Sequence, residues 1–210
     1  MLLNNNDIDI ITEKIIQRMM DIRPIPIEVS GRHVHLCQKD LETLFGTGYS
    51  LTRKKELSQP GQFQSNEKVM LIGTKGVIKD VSILGPVRPS TQVEISKTDA
   101  VALGIKAPVR ESGELKGSGS LFIAAQNSII RADEEVIVAK RHIHLTPLDA
   151  KIYMVENGDI VKVKIDGERP LIFDGVVIRV SDKFKAAMHI DFDEANACCY
   201  SKGMNAKIIR

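Results

Sequence analysis

The sequence predicts a mainly β protein with short helices, built as two similar β-barrels that the helices cap. A pentapeptide occurs twice, as RHVHL at residues 32–36 and as RHIHL at residues 141–145, which indicates an internal duplication. Short runs of β-branched residues, separated by Gly and Pro turns, surround both copies, as is typical of strands in small barrels. The 210 residues leave about 100 for each copy, enough to bury a core.

The N-terminal segment, residues 1–23, is predicted to form an amphipathic helix that Pro24 and Pro26 terminate. Apolar residues recur in it at helical spacing and line one face, namely Ile8, Ile11, Ile15, Met19 and Ile22. Two interpretations are open. The helix packs on its own domain or on a dimer mate, or it is a docking peptide that binds another protein through this face.

The two repeats follow this helix and are predicted to share one design. In the first repeat, residues 24–111, we expect strands at 25–29, 69–72 and 77–84, and helices at 38–45 and 97–103. In the second repeat, residues 121–210, we expect strands at 136–138, 160–165, 171–173 and 176–180, and helices at 147–156 and 193–199.

Two polar stretches interrupt these elements. The first repeat is longer than the second between the pentapeptide and the segment around residue 94, so we predict an inserted loop at residues 51–64, which contain Pro60-Gly61. Residues 112–120, rich in Ser and Gly, lie between the repeats. They form a plain linker, or a loop whose backbone N–H groups and hydroxyls hold a phosphate.

The histidines predict metal chemistry in duplicate. All five belong to the repeat, as His33, His35, His142, His144 and His189. Aligning the repeats places Glu94 opposite His189, so each copy offers a His-x-His pair and one further ligand. Residues two apart in a strand project from the same face, and sites with three protein ligands and an open position are typical of catalytic zinc. Glu94 is the natural bridging ligand, because a carboxylate can bridge two cations and an imidazole cannot.

Arg88 is the predicted oxyanion-binding residue. It lies in the segment Gly85-Pro86-Val87-Arg88-Pro89, six residues before Glu94. Its guanidinium can bind an oxyanion through two parallel hydrogen bonds.

Composition excludes several classes of partner. The formal net charge is only +2, aromatic residues make up 4% of the chain and tryptophan is absent, so we expect no nucleic acid as a partner, and no membrane.

The three cysteines lack zinc-finger spacing and no secretory signal is recognisable, which favours a cytoplasmic location. Cys37 is a small buried residue, or else a ligand or nucleophile.

Five segments carry a resemblance to a known family: Val29-Ser30-x-Arg32-His33-Val34-His35-Leu36, Leu84-Gly85-Pro86-x-Arg88, Val93-Glu94, Arg141-His142-Ile143-His144-Leu145 and Met188-His189. In this order they resemble the phosphate propanoyltransferases of propanediol-utilisation microcompartments, from about residue 24 to the end of the chain. The resemblance implies two interlocked barrels that exchange segments. It also implies transfer of a short acyl group, propanoyl or acetyl, between CoA and phosphate, in a microcompartment of a bacterial cell.

The resemblance also assigns roles to single residues. It implies two zinc ions per chain, one held by Glu94, His142, His144 and His189 and the other by His33 and His35. Arg88 would be the catalytic residue that binds phosphate, with help from Ser112. Contacts to CoA would come from Ser30, Lys55, Leu84 and Asn196. The expected partners are acyl-CoA, phosphate, a second copy in a homodimer, and a shell or cargo protein that binds the N-terminal helix.

Three alternatives stay open. Attack of phosphate on the thioester needs no protein nucleophile, so we expect direct displacement, with a covalent intermediate on Cys37 or Ser112 as the alternative. Hydroxide in place of phosphate as the attacking group would make the protein a di-zinc hydrolase. A non-catalytic adaptor with a structural metal core fits less well, because structural zinc sites are usually rich in cysteine.

Overall fold

The fold is known from a computed structural model, which describes residues 5–126 and 128–209. Residues 1–4, Asn127 and Arg210, which belong to the predicted N-terminal helix and the second repeat, lie outside the described residues. The protein is mainly β with short helices and contains two closed six-stranded barrels, which confirms the predicted fold class.

The strands are β1 (Ile25–Val29), β2 (His33–His35), β3 (Arg53–Glu56), β4 (Phe63–Ile72), β5 (Val77–Gly85), β6 (Gln92–Glu94), β7 (Val109–Arg110), β8 (Gly119–Ala125), β9 (Ser128–Ala139), β10 (His142–Leu145), β11 (Ile160–Ile165), β12 (Leu171–Val180), β13 (Ala187–Ile190) and β14 (Asn205–Ile209). The helices are α1 (Asn5–Ile22), α2 (Gln38–Phe45), α3 (Lys97–Leu103), α4 (Pro147–Tyr153) and α5 (Phe192–Ala197).

The first barrel contains the first histidine pentapeptide. Its strands pair in the closed order β4-β5-β2-β6-β9-β8, and β8 pairs with β4 again. Strand β2 runs parallel to β5 and antiparallel to β6. Inward-facing aliphatic residues such as Val34, Leu71 and Ile123 have no exposed surface and form its core, because alternate residues of each strand face the barrel interior.

The second barrel repeats this arrangement around the second pentapeptide. It closes in the order β1-β13-β10-β12-β11-β14. Strand β10 runs parallel to β12 and antiparallel to β13, as β2 does with β5 and β6. The two pentapeptides therefore occupy equivalent strands with equivalent neighbours.

The strand that precedes each pentapeptide closes the other repeat's barrel. Strand β1 comes directly before β2 in the sequence but belongs to the second barrel, and β9 comes directly before β10 but belongs to the first. The chain accordingly divides into two compact units that are not contiguous in sequence. One contains Val29–Lys140 and Ile190–Ala197, and the other contains the chain up to Glu28, Arg141–His189 and the chain from Cys198.

Helix α5 contributes to the unit of the first barrel although it comes late in the sequence. The Ser30 backbone N–H donates to the Ile190 carbonyl over 2.8 Å, and the Arg32 guanidinium lies 5.3 Å from the centre of the Phe192 ring. Gly31 leaves room for this ring, because a Cβ at that position would lie 2.4 Å from it. Any larger residue at position 31 would therefore have to displace the Phe192 ring.

The predicted helices are all present. Helices α2 and α3 have the predicted bounds. Helix α4 ends at Tyr153, three residues earlier than predicted, because Met154 adopts a left-handed conformation with φ +50°. Ser96 and Thr146 begin α3 and α4 with capping boxes, in which side chain and backbone satisfy each other's hydrogen bonds.

The predicted loop at residues 51–64 is wrong in part. Strand β3 lies within it and pairs antiparallel with β4, which itself begins at Phe63. All four residues of β3 are exposed, so the sequence has no alternation of apolar and polar residues that would predict this strand. Glu67 on β4 anchors the preceding segment, because its carboxylate accepts hydrogen bonds from the Thr52 backbone N–H (3.1 Å), the Thr52 hydroxyl (2.7 Å) and the Tyr49 hydroxyl (3.0 Å).

Helix α1 exposes its predicted apolar face. Ile8, Ile11, Ile15 and Ile22 are between 43% and 66% exposed, so the residues that the structure describes do not cover this face. The helix is joined to α4 at its end, where Arg23 forms a 2.7 Å ion pair with Asp149 and its carbonyl accepts a hydrogen bond from the Tyr153 hydroxyl. Within residues 5–126 and 128–209, no helix combines the length and apolar character needed to cross a membrane.

Candidate active site

The first histidine cluster lies on β2 and β6 of the first barrel. His33 stands directly opposite Glu94 in the antiparallel register, and His33 Nε2 is 3.5 Å from Glu94 Oε2. The His33 and His35 rings are 4.9 Å apart. The potential ligand atoms of these three residues all lie within 4.8 Å of one another, so they can converge on one metal ion.

Backbone carbonyls orient both imidazoles of this cluster. His33 Nδ1 lies 2.8 Å from the Gly31 carbonyl oxygen, and His35 Nδ1 lies 3.2 Å from that of Leu84. A carbonyl oxygen only accepts, so each Nδ1 carries the hydrogen and each Nε2 keeps a lone pair for a ligand. Metal-binding histidines usually have this second hydrogen bond. The pKa of His35 is held well below its usual value, first by burial and then by the nearby His33 and Arg88. Its imidazole is therefore neutral at neutral pH.

Arg88 and Ser112 are brought together next to this cluster. Arg88 Nη1 donates to Ser112 Oγ over 3.1 Å, and the effect of Arg88 on the pKa of His35 reflects their proximity. The Arg88 backbone N–H donates to the Leu36 carbonyl over 2.9 Å, which fixes the loop after β5 to the end of the pentapeptide. A guanidinium and a hydroxyl here can bind an oxyanion close to a metal ligand set.

Gln92 is a residue of this site that the sequence analysis missed. It lies on β6 opposite His35 and is 2% exposed. Its side chain contacts Glu94, Ser112 and Gly113. The only sequence signal was its position two residues before Glu94, which puts both side chains on the same face of the strand.

The later residues of the Ser-Gly segment form hydrogen bonds outside the site. The Gly117 backbone N–H donates to Glu134 over 2.9 Å, and Ser118 N–H donates to the Leu115 carbonyl over 2.9 Å. Of the two interpretations of residues 112–120, a site loop therefore fits Ser112 and Gly113, and a linker fits the residues that follow.

The second histidine cluster has the same geometry in the second barrel. His189 on β13 stands opposite His142 on β10, as Glu94 stands opposite His33. The three ring centres of His142, His144 and His189 are 4.7 to 5.1 Å apart, and potential ligand atoms lie within 4.8 Å of one another.

His144 supports metal binding by this cluster. Among the residues that the structure describes, its Nδ1 atom is buried without a hydrogen-bond partner, and its ring stacks on Phe184 at 4.1 Å. Burial, together with His189 and Arg179, lowers the pKa of His144 to about 3. A buried neutral nitrogen lacking a partner is costly, and coordination to a metal would satisfy it. The residues of both clusters therefore fit metal ions.

Glu28 is a second residue that the sequence analysis missed. It lies on β1, and its Oε2 atom is 3.9 Å from His189 Nδ1. This carboxylate brings a negative charge to a cluster that otherwise contains only histidines. It can orient the His189 ring, as carboxylates commonly do for metal-bound histidines.

The structure groups the predicted ligands by barrel. Glu94 gathers with His33 and His35, whereas His142, His144 and His189 gather separately. This matches the set that each repeat offers on alignment. A role of Glu94 as a ligand shared with the second cluster stays a prediction.

The four residues predicted to contact CoA all belong to the unit of the first cluster. Ser30 follows β1, Lys55 is exposed on β3, Leu84 lies on β5, and Asn196 is exposed on α5. Leu84 is in direct contact with the cluster, because its carbonyl oxygen lies 3.2 Å from His35 Nδ1. Their role in CoA binding stays a prediction.

Fold and site together define a class of protein. It is a duplicated β-barrel protein with a histidine-rich cluster in each barrel that fits a metal ion, and with an arginine–serine pair beside the first cluster. A family model described as phosphate propanoyltransferase matches residues 26–201, which include every proposed ligand. The chain therefore belongs to the phosphate propanoyltransferase family, and it is an enzyme of the acyltransferase class.

Curated relatives that carry this name match nearly the whole chain. The chain is 54% identical to the phosphate propanoyltransferase of Clostridioides difficile over 200 residues, which cover 95% of the chain and 96% of that relative. It is 52% identical to that of Listeria monocytogenes, over 99% and 98% of the two chains. The corresponding Thermotoga maritima protein is 53% identical over 85% of the chain and 86% of its own length.

Proposed function

We propose that the protein catalyses reversible transfer of a short acyl group between CoA and inorganic phosphate, with propanoyl as the preferred group and acetyl as a second substrate. The observation that carries the proposal is the Arg88–Ser112 pair beside His35. It provides an oxyanion site next to a metal ligand set. Propanoyl is the acyl group in the names of the relatives.

Two zinc ions fit the donor sets. His33, His35 and Glu94 would hold one, and His142, His144 and His189 would hold the other. Neutral buried imidazoles and a carboxylate are ligands that zinc prefers. When bound, zinc would supply a Lewis acid that stabilises negative charge on the thioester oxygen and the departing sulfur.

The residues of the chain position phosphate for direct displacement. Arg88 would hold the phosphate through two of its oxygens, and Ser112 would donate a hydrogen bond to a third. A phosphate oxygen then forms a bond to the acyl carbon, the carbon–sulfur bond breaks, and the electron pair leaves on the CoA sulfur. Arg88 also offsets the repulsion between the phosphate and the charge that develops on the carbonyl oxygen.

The surroundings of Ser112 favour this route over a covalent intermediate on its hydroxyl. Ser112 Oγ accepts hydrogen bonds from Arg88 and Gln92. Both neighbours are donors, whereas activation of a serine nucleophile needs a base that removes its proton. Ser112 is therefore proposed as a binding residue.

CoA is proposed to lie along the unit of the first cluster, in contact with Ser30, Lys55, Leu84 and Asn196. Lys55 belongs to β3, whose sequence RKKE is exposed throughout. An exposed run of three cations suits the phosphates of CoA, since each cation can pair with a phosphate oxygen.

Helix α1 is proposed to dock on a shell or cargo protein of a microcompartment for propanediol degradation, or on a second copy of the chain in a homodimer. Its apolar face is exposed in the described residues, and a continuous exposed apolar face usually marks an interaction surface. None of the proposed ligands lies on this helix.

The test is an assay of CoA release from acetyl-, propanoyl- and butanoyl-CoA, with and without phosphate, in the zinc-loaded protein. We expect release to depend on phosphate, to yield one acyl phosphate per CoA and to be fastest with propanoyl-CoA. Release that is independent of phosphate would overturn the proposal in favour of a hydrolase. No release under any condition would overturn it in favour of an adaptor.

A further inference from the structure

Gln92 marks a difference between the two barrels. In the first barrel it pairs with His35 across β2 and β6. In the second barrel Ala187 occupies the equivalent place, opposite His144. The duplicated strands thus present a buried amide in one barrel and a methyl group in the other, although the histidine pairs beside them are alike. Because alanine fits the equivalent place in the second barrel, the hydrogen bonds of the Gln92 amide must explain its presence in the first.

The contacts of Gln92 fix the orientation of its amide. The Gly113 backbone N–H donates to Gln92 Oε1 over 2.8 Å, so the oxygen faces the loop. Gln92 Nε2 then faces Glu94 Oε1 at 2.5 Å and Ser112 Oγ at 2.8 Å, and it donates one hydrogen to each. The oxygen of the Gln92 amide and both of its N–H groups therefore have hydrogen-bond partners. If the amide were rotated by 180°, its NH2 group would face the Gly113 N–H, and two donors would meet.

These bonds determine what the Ser112 hydroxyl can do. A hydroxyl oxygen has two lone pairs and one hydrogen. Arg88 Nη1 and Gln92 Nε2 both donate to Ser112 Oγ, which uses both lone pairs. The hydroxyl hydrogen is then available to an incoming acceptor. The oxygens of phosphate that carry no proton are acceptors, so a hydroxyl held in this way is set to donate to one of them.

The same amide acts on the metal-ligand carboxylate. Gln92 binds Oε1 of Glu94, and the other oxygen, Oε2, is the one nearer His33 Nε2, at 3.5 Å. Gln92 thereby orients the carboxylate so that Oε2 is directed to the histidine pair. Hydrogen bonds of this kind to a ligating carboxylate commonly contribute to metal affinity.

We infer that Gln92 is a positioning residue that holds Ser112 as a hydrogen-bond donor to phosphate and Glu94 as a metal ligand. The inference rests on the proposed function. It makes Gln92 the connection between the oxyanion site and the ligand set of the first cluster, a role that the second barrel, with Ala187, does not have.

The first test uses Gln92→Met, which keeps the length of the side chain and removes its hydrogen bonds. We expect KM for phosphate to rise by about tenfold or more, because the Ser112 hydroxyl no longer keeps its hydrogen bond to the charged phosphate. KM for acyl-CoA should change by less than about twofold. A merely structural role would lower kcat or stability without this selectivity. Gln92→Ala serves as the second variant, since alanine is the residue at the equivalent place in the second barrel.

A double-mutant cycle with Ser112→Ala tests whether Gln92 acts through the hydroxyl. Ser112→Ala alone is expected to raise KM for phosphate by about tenfold, but by less than about twofold when Gln92 is already Met, because coupled residues are not additive. Additive effects would overturn this part of the inference.

Metal affinity gives a readout that does not depend on turnover. In competition with a chelator, Gln92→Met is expected to weaken one of two zinc sites by about tenfold, whereas Ser112→Ala leaves both unchanged. Unchanged zinc affinity and unchanged KM for phosphate in both Gln92 variants would overturn the inference. A wild-type protein without phosphate-dependent CoA release would instead overturn the proposed function, so the two failures are distinguishable.

Discussion

Glu94 stands directly opposite His33 across the antiparallel pair of β2 and β6, with its Oε2 atom 3.5 Å from His33 Nε2. The same register recurs in the second barrel, where His189 stands opposite His142. The register confirms the alignment of Glu94 with His189. The third position of each cluster therefore has the same place in the two barrels but a different chemistry, a carboxylate in the first and an imidazole in the second.

Substitution of the first histidine of each pair should remove metal from one cluster only. We expect His33→Ala and His142→Ala each to lower zinc content from about two to about one ion per chain, because two remaining ligands hold zinc poorly. Each variant should also lose turnover. Metal analysis together with the phosphate-dependent assay measures both effects.

Cys37→Ala is the control for this experiment and also tests the covalent alternative. Cys37 lies two residues after His35, outside both ligand sets, and its backbone N–H donates to the Thr91 hydroxyl. We expect unchanged zinc content and turnover. Full activity in His33→Ala or His142→Ala would contradict the two-metal arrangement, and an inactive Cys37→Ala that retains its zinc would favour a thiol intermediate.

Arg88 should be needed for phosphate and not for metal. Arg88→Ala is expected to lower kcat/KM for phosphate by at least about 100-fold, because two charge-assisted hydrogen bonds are lost. Zinc content should stay the same. Arg88→Lys should recover little of the loss, since a point charge does not reproduce the planar fork of the guanidinium. Steady-state kinetics with varied phosphate measure this, and wild-type KM for phosphate in Arg88→Ala would exclude the role.

Glu67 should make stability depend on pH below the usual carboxyl range. Burial raises its pKa, but hydrogen bonds from Thr52 and Tyr49 outweigh burial and lower the pKa below its usual value of 4.5. When a folded protein lowers the pKa of a carboxyl group, the hydrogen bonds of that group contribute their full stabilisation at pH values above the unfolded-state pKa. This contribution is lost as the pH falls through the folded-state pKa.

Glu67→Gln tests this expectation. We expect the free energy of unfolding at pH 7 to fall by about 1–3 kcal/mol, as for other buried hydrogen bonds to a charge. The difference from wild type should shrink as pH falls below 4.5. Urea unfolding at a series of pH values measures it, and Asp80→Asn, on the neighbouring strand β5, provides a matched charge control. A difference that is constant with pH would contradict the assignment.

Removal of helix α1 should affect assembly and leave chemistry intact. The truncated chain should begin at Arg23, because the Arg23–Asp149 ion pair and the bond from Tyr153 belong to the fold. We expect retained specific activity, an altered oligomeric state and lost co-localisation with shell proteins. The measurements are kinetics, light scattering and microscopy. An unfolded or inactive truncated protein would contradict the docking role.

A full-length variant separates the apolar face from the helix itself. Ile8→Gln, Ile11→Gln and Ile15→Gln together replace exposed side chains and should reproduce the effect of the truncation. If the triple variant assembles like wild type, the docking role would belong to another part of α1.

The histidine clusters could be predicted because the signal was duplicated. A single His-x-His pair carries little information, but two copies in matching strands predicted both the candidate ligands and the alignment of Glu94 with His189. The resemblance predicted that Arg88 and Ser112 act together on phosphate, and their 3.1 Å contact joins segments that no local sequence pattern connects.

Other features could not be predicted, for physical reasons. Gln92 is a single polar residue whose counterpart is Ala187, so the duplication gave no signal for it. Strand β3 consists of exposed charged residues and is held by backbone pairing with β4, which leaves no hydrophobic pattern. The resemblance implied that the barrels exchange segments, but it did not say which strands do so. Composition does not show that β1 and β9 exchange, because both look like ordinary strands that precede a pentapeptide.

The pairing of β1 has a consequence for the order of events during synthesis. All six strands of the first barrel lie between residues 33 and 139, so that barrel can close while the second is still being translated. Strand β1 leaves the ribosome before any of them, but its neighbours β13 and β14 are the last strands made. At typical translation rates β1 waits for roughly 10–40 s as an unpaired apolar segment. The five residues of β1 therefore stay without their partner strands for longer than any strand of the first barrel, and during that time they are a candidate site for chaperone binding.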